Sequence, residues 1–122
     1  MDPRALSLPS RPATPNRGRA PRHKSGEHFL RGPIPLDWLC AAARAAGHGS
    51  GFQVAIALWY LSGLNRQSNT VKLKGSILRE MGVDRHAGYR GLAALERAGL
   101  VSVERHSGRV PVVTLLSAGA PE

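Results

Sequence analysis

Between Gly75 and Leu115, glycines punctuate short patterned runs, and this punctuation leaves few ways for the segment to fold. Gly75 to Met81 has Ile77, Leu78 and Met81 as its apolar residues, the pattern of one short helix that Gly82 ends. Asp84 is placed to cap a second helix, its carboxylate accepting from the free N–H groups of the first turn. That helix is predicted from Arg85 to Ala98, with Gly99 as its stop. Leu100 to Arg105 and Val110 to Leu115 alternate at period two on either side of the polar turn His106-Ser107-Gly108-Arg109, which reads as a β-hairpin. Pro111 lacks a backbone donor, so the second run is expected at a sheet edge. Two helices joined by a tight glycine turn and followed directly by a hairpin make a helix-turn-helix with a wing.

The upstream runs would supply its support. Leu36 to Ala46 is alanine-rich and followed by Gly47, so a helix is expected there, burying Trp38, Leu39, Ala42 and Ala46. Cys40 is expected as a small buried or half-buried apolar residue. Phe52 to Leu61 is apolar on every helical face and reads as the central buried helix, with Trp59 and Tyr60 in the core. Gly63 to Asn69 reads as a surface loop, and Thr70 to Leu73 alternates like a short strand. On the inner face of the second motif helix, Leu92, Leu95 and Ala98, with Gly88 a turn earlier, should pack on the central helix. The fold class is thus mainly α with a small β-hairpin, over residues 31–118.

Charge divides the chain differently. The 17 Lys and Arg outnumber the 8 Asp and Glu, giving a net charge of +9 and implying an anionic partner. Residues 1–27 hold a surplus of four and residues 66–109 a surplus of five. Five of the nine prolines lie in the first 21 residues, with few large apolar side chains, so residues 1–30 are expected to be a disordered basic tail. The longest apolar stretch, Val54 to Leu61, is too short to span a bilayer, and no secretory signal is expected. One cysteine excludes a disulfide framework and a multi-cysteine zinc site. The expected location is intracellular.

Met81-Gly82-Val83-Asp84-Arg85-His86-Ala87-Gly88-Tyr89-Arg90-Gly91-Leu92-Ala93-Ala94-Leu95-Glu96-Arg97-Ala98-Gly99-Leu100-Val101 resembles the recognition segment of bacterial winged helix-turn-helix regulators. Those typically read Leu-Gly-Val-Ser-Arg, a polar stretch, then Arg-Ala-Leu-x-x-Leu-Glu-x-Ala-Gly-Leu-Ile. The resemblance is close over these residues and extends to the order of elements over residues 33–117. Gly88 stands where the superfamily usually has valine or another core residue, and Gly91 where it has alanine. Asp84 replaces the common serine. The Gly-Thr-Phe-Val type of wing is not matched after Gly108, and no long helix follows it in this sequence, so a superfamily is named and no subfamily.

The resemblance implies sequence-specific binding of double-stranded DNA, in bacterial transcriptional regulation, and with it a cytoplasmic location at the bacterial nucleoid. The residues support that reading independently. The outer face of the second motif helix presents His86, Arg90, Ala93 and Arg97, flanked by Arg85 and Tyr89. A helix of this bulk fits the major groove, where arginine can pair with guanine or clamp phosphate. Lys72, Lys74 and Ser76 precede or open the first motif helix and could hold a phosphate. Arg105, His106 and Arg109 would lie at or near the wing tip. Glu96 is expected in a local ion pair. No enzymatic activity, cofactor or metal is expected: the five histidines are scattered, and no nucleophile is paired with a base. No effector site is identifiable. A homodimer is a further expectation, through the first helix or the edge near Pro111. The alternatives are a winged-helix protein-interaction module and a DNA-binding protein of plasmid or phage replication or maintenance.

Overall fold

Helix α2, Gly51–Leu64, carries apolar residues on every face, and the surrounding elements bury most of its middle. The computed structural model describes residues 20–106 and 108–118. Before α2 comes α1 (Leu36–Ala46), and after it β1 (Thr70–Lys72), α3 (Gly75–Glu80), α4 (Arg85–Arg97), β2 (Val101–Glu104) and β3 (Val112–Leu115). The described residues therefore form four helices and a small three-stranded antiparallel sheet. α2 lies against α1, α3, α4 and β1 and buries Val54, Ala55, Ala57 and Leu58 among them. No helix among the described residues is long and apolar enough to cross a membrane.

The sheet corrects the expected topology. Its order is β1-β3-β2, so β3 is the central strand and not an edge. Pro111 lies just ahead of β3, where no ladder donor is required, and its carbonyl accepts from the Leu73 N–H at 3.0 Å. The hairpin is accordingly completed by β1, with Val71 opposite Val113 and both side chains buried. The expected edge near Pro111 is therefore not an edge, since the two edges of the sheet are β1 and β2.

α1 is fixed to the end of the sheet by Trp38, whose buried ring donates from Nε1 to the Leu116 carbonyl at 2.7 Å. The same ring meets Trp59 edge-on at 5.4 Å between centroids. Trp59 and Tyr60 are half-buried at the margin of the core. Ala42 is buried as expected, while Leu39 and Ala46 are half-buried. Cys40 is exposed, contrary to expectation, because α1 turns that side away from α2. Ala98 is likewise exposed; it follows the last turn of α4, beyond the face that Leu92 and Leu95 bury.

α2 runs three residues further than the apolar pattern, through Ser62, Gly63 and Leu64. Ser62 is buried and donates from Oγ to the Ser68 carbonyl at 2.7 Å, while its own carbonyl accepts from the Gln67 N–H at 2.8 Å. These bonds hold the 65–69 loop, in which Arg66 and Gln67 both take positive φ.

Residues 1–19 of the expected tail lie outside the described residues, as does Ser107. Residues 20–35 form no helix or strand, yet part of this stretch is held to the fold. His28 Nδ1 and the Tyr60 hydroxyl are hydrogen-bonded at 2.8 Å. The Arg31 stem lies over Gly63, where an added Cβ would stand 3.1 Å from Arg31 Cβ. His28 to Arg31 thus lie along α2, which carries the folded unit a little before residue 31.

Candidate nucleic-acid interface

The turn between α3 and α4 is built from local hydrogen bonds. Gly82 has φ of 77° and its N–H donates to the Arg79 carbonyl, while the Val83 N–H donates to the Leu78 carbonyl at 2.9 Å. This buries Val83 between the two helices and leaves Asp84 extended at the head of α4. Asp84 Oδ1 accepts from the Ala87 N–H at 2.8 Å, the predicted cap.

Which face of α4 points outward follows from its inner face, formed by Gly88, Gly91, Leu92 and Leu95. A Cβ on Gly91 would stand 3.0 Å from the N and Cα of Gly51 and the carbonyl carbon of Ser50. The backbone of α4 therefore rests directly on the first turn of α2. Gly88 faces a side chain instead: its Cβ would come within 2.9 Å of Leu78 Cδ1. With that face pressed inward, Arg85, His86, Tyr89 and Arg90 are all exposed.

Within this outer face, Arg85 and Tyr89 are joined. Arg85 Nε donates to the Tyr89 hydroxyl at 3.3 Å, and the guanidinium carbon lies 5.8 Å from the centre of the phenol ring. The hydrogen bond to Tyr89, and then the electrostatic interaction with the same group, raise the Arg85 pKa from its ordinary value. No carboxylate among the described residues forms an ion pair with Arg85.

Lys72 and Lys74 share an open cleft of about 410 Å³ with Asn65, Thr70 and an apolar floor that includes Leu61, Val71 and Val112. Alternation places both lysines on one side of the strand, with Val71 and Leu73 directed into the core. Ser76 is exposed in the first turn of α3, a helix of six residues with no side-chain cap bond.

Arg105, His106 and Arg109 are exposed in the connection between β2 and β3. Arg105 Nη2 is 3.1 Å from Glu96 Oε1, which identifies the partner of the local ion pair expected for Glu96. The bond ties the base of the hairpin connection to the last turn of α4. Arg85 and Glu96 are separated by roughly 16 Å along the helix axis. Arg105 is consequently held away from the cluster at the head of α4. The Arg109 N–H donates to the His106 carbonyl at 3.0 Å, closing the turn between them.

All ten expected site residues are therefore exposed, but they fall into separate groups. Arg85, His86, Tyr89 and Arg90 share the head of α4; Lys72 and Lys74 share the cleft; Arg105 is engaged by Glu96. The coupling of Arg85 to Tyr89 was missing from the sequence reading, although their spacing of four residues was its signal. The pairing of Glu96 with Arg105 crosses from helix to hairpin and has no such local signal. Comparison of the chain with models of known protein families, with curated proteins and with solved structures gives no match.

Proposed function

We propose that the chain is a winged helix-turn-helix protein that binds double-stranded DNA, with a role in bacterial transcriptional regulation. α3 and α4 are the two motif helices, α4 is the reader, and the β2–β3 connection is the wing. The observation that carries this reading is the outward face of α4. Its first six positions include Arg85, His86, Tyr89 and Arg90, all exposed, on a capped helix whose opposite face is seated against backbone.

The division of labour follows from chemistry. The head of a helix lying in the major groove meets base edges, so Arg85, His86 and Arg90 are assigned to reading. Lys72, Lys74, His106 and Arg109 are assigned to phosphates, which position the protein without carrying sequence information. Ser76 supplies a hydroxyl beside Lys74 for the same backbone, and Arg105 joins once its bond to Glu96 is shared.

A titration of the full chain against duplex DNA at several salt concentrations tests the proposal. Neutralising about six phosphates gives a log–log slope of roughly −5. Binding that stays flat across salt would overturn it. In the same titration Arg90→Ala is expected to weaken binding to a selected duplex by about tenfold.

A further inference from the structure

We propose that Tyr89 orients Arg85 so that the two terminal nitrogens of its guanidinium meet O6 and N7 of one guanine, making Arg85 the residue that specifies that base. The inference rests on the reading of α4 as a DNA-facing helix and adds to it a named base and a positioning residue.

Arginine carries five N–H donors arranged along two usable edges. The edge that includes Nε is occupied here, because Nε donates to the Tyr89 hydroxyl at 3.3 Å. What Tyr89 leaves unoccupied is the fork formed by the two terminal nitrogens. That fork matches the acceptor pair that guanine presents in the major groove. The geometry of the pair follows from the helix itself: side chains lean toward the N-terminus, so Tyr89 reaches back over the turn that carries Arg85. The phenol ring is 50% exposed and so is not committed to the core. It is free to act on its neighbour.

Phosphate would accept from the same fork, and the surroundings decide between the two. Arg85 is the first residue of α4, the part of a reading helix that meets base edges. Beside it stands Asp84, exposed, with one oxygen engaged by the Ala87 N–H. A carboxylate adjacent in sequence opposes the approach of an anionic phosphate far more than that of a neutral base edge. A fixed donor fork next to a negative charge therefore suits guanine.

The test begins with duplexes selected from a random pool by the full chain. Each guanine of the consensus is then replaced by 7-deazaguanine, which lacks the N7 acceptor, and affinities are measured by fluorescence anisotropy. At one guanine the wild-type protein is expected to discriminate by about tenfold, Arg85→Ala to lose that discrimination, and Tyr89→Phe to reduce it to about twofold. Tyr89→Phe should retain the salt slope, since no phosphate contact is removed. Thermal melting of each variant checks that it is folded.

Full discrimination by Tyr89→Phe would overturn the positioning role. Equal weakening of all duplexes by Arg85→Ala, with a slope shallower by about one, would show a phosphate clamp and overturn the base assignment. In both cases salt-dependent binding survives, and with it the reading of α4. Loss of any salt-dependent duplex binding by the wild-type chain would overturn both.

Discussion

Gly88 and Gly91 each weaken an isolated helix by about 1 kcal/mol relative to alanine. Their surroundings separate them. At Gly91 the space for a methyl group is taken by the backbone of Gly51 and Ser50, which cannot yield without moving α2. Gly91→Ala is expected to destabilise the protein by about 1–3 kcal/mol, measured by urea unfolding. At Gly88 the obstacle is the tip of Leu78, which can rotate aside. Gly88→Ala should be neutral or stabilising by up to about 1 kcal/mol. Both glycines stand out in the sequence as helix-weakening residues inside a helical run, but the reasons for them do not. The partner of Gly91 is forty positions away, and no periodicity within α4 reports it. Asp84 is the opposite case, since its cap is entirely local and was legible from its place before the helix. Asp84→Ala should cost about 1 kcal/mol in the same measurement.

The helices were legible because their signals are local: apolar spacing, a capping carboxylate, and glycines with positive φ at 82 and 99. The sheet was only half legible. Alternation found both runs of the hairpin and suggested β1, but it carries no information about which strand lies in the middle. Pro111 pointed to an edge only so long as it was counted within the strand; β3 begins at Val112. The basic residues of the hairpin connection were visible too, whereas the restraint on Arg105 by Glu96 depends on how the hairpin folds back on α4. Both partners are substantially exposed, and such a pair contributes about 0.2–1 kcal/mol to stability. Glu96→Gln should therefore hardly change the melting temperature. It should raise duplex affinity at low salt by about threefold, because it frees Arg105 and removes a negative charge. An unchanged or lowered affinity would mean that Arg105 does not meet DNA.

The basic N-terminal stretch and the folded unit are joined along α2, where His28 bonds Tyr60 and Arg31 covers Gly63. Two deletions separate their contributions. Removing residues 1–19 takes away four arginines and one aspartate. It should leave the melting temperature unchanged and make the salt slope shallower, with discrimination among duplex sequences retained. Removing residues 1–33 also strips His28 and Arg31 from α2 and should lower the melting temperature. The central place of β3 has its own consequence during synthesis. β1 and β2 leave the ribosome before the strand that joins them, so neither has its ladder until Leu115 has emerged. The helices can gather round α2 earlier, since their contacts lie within residues already made. The hairpin connection takes its shape last, so a chain truncated after Pro111 should already be helical while still unable to hold Arg105, His106 and Arg109 in a hairpin.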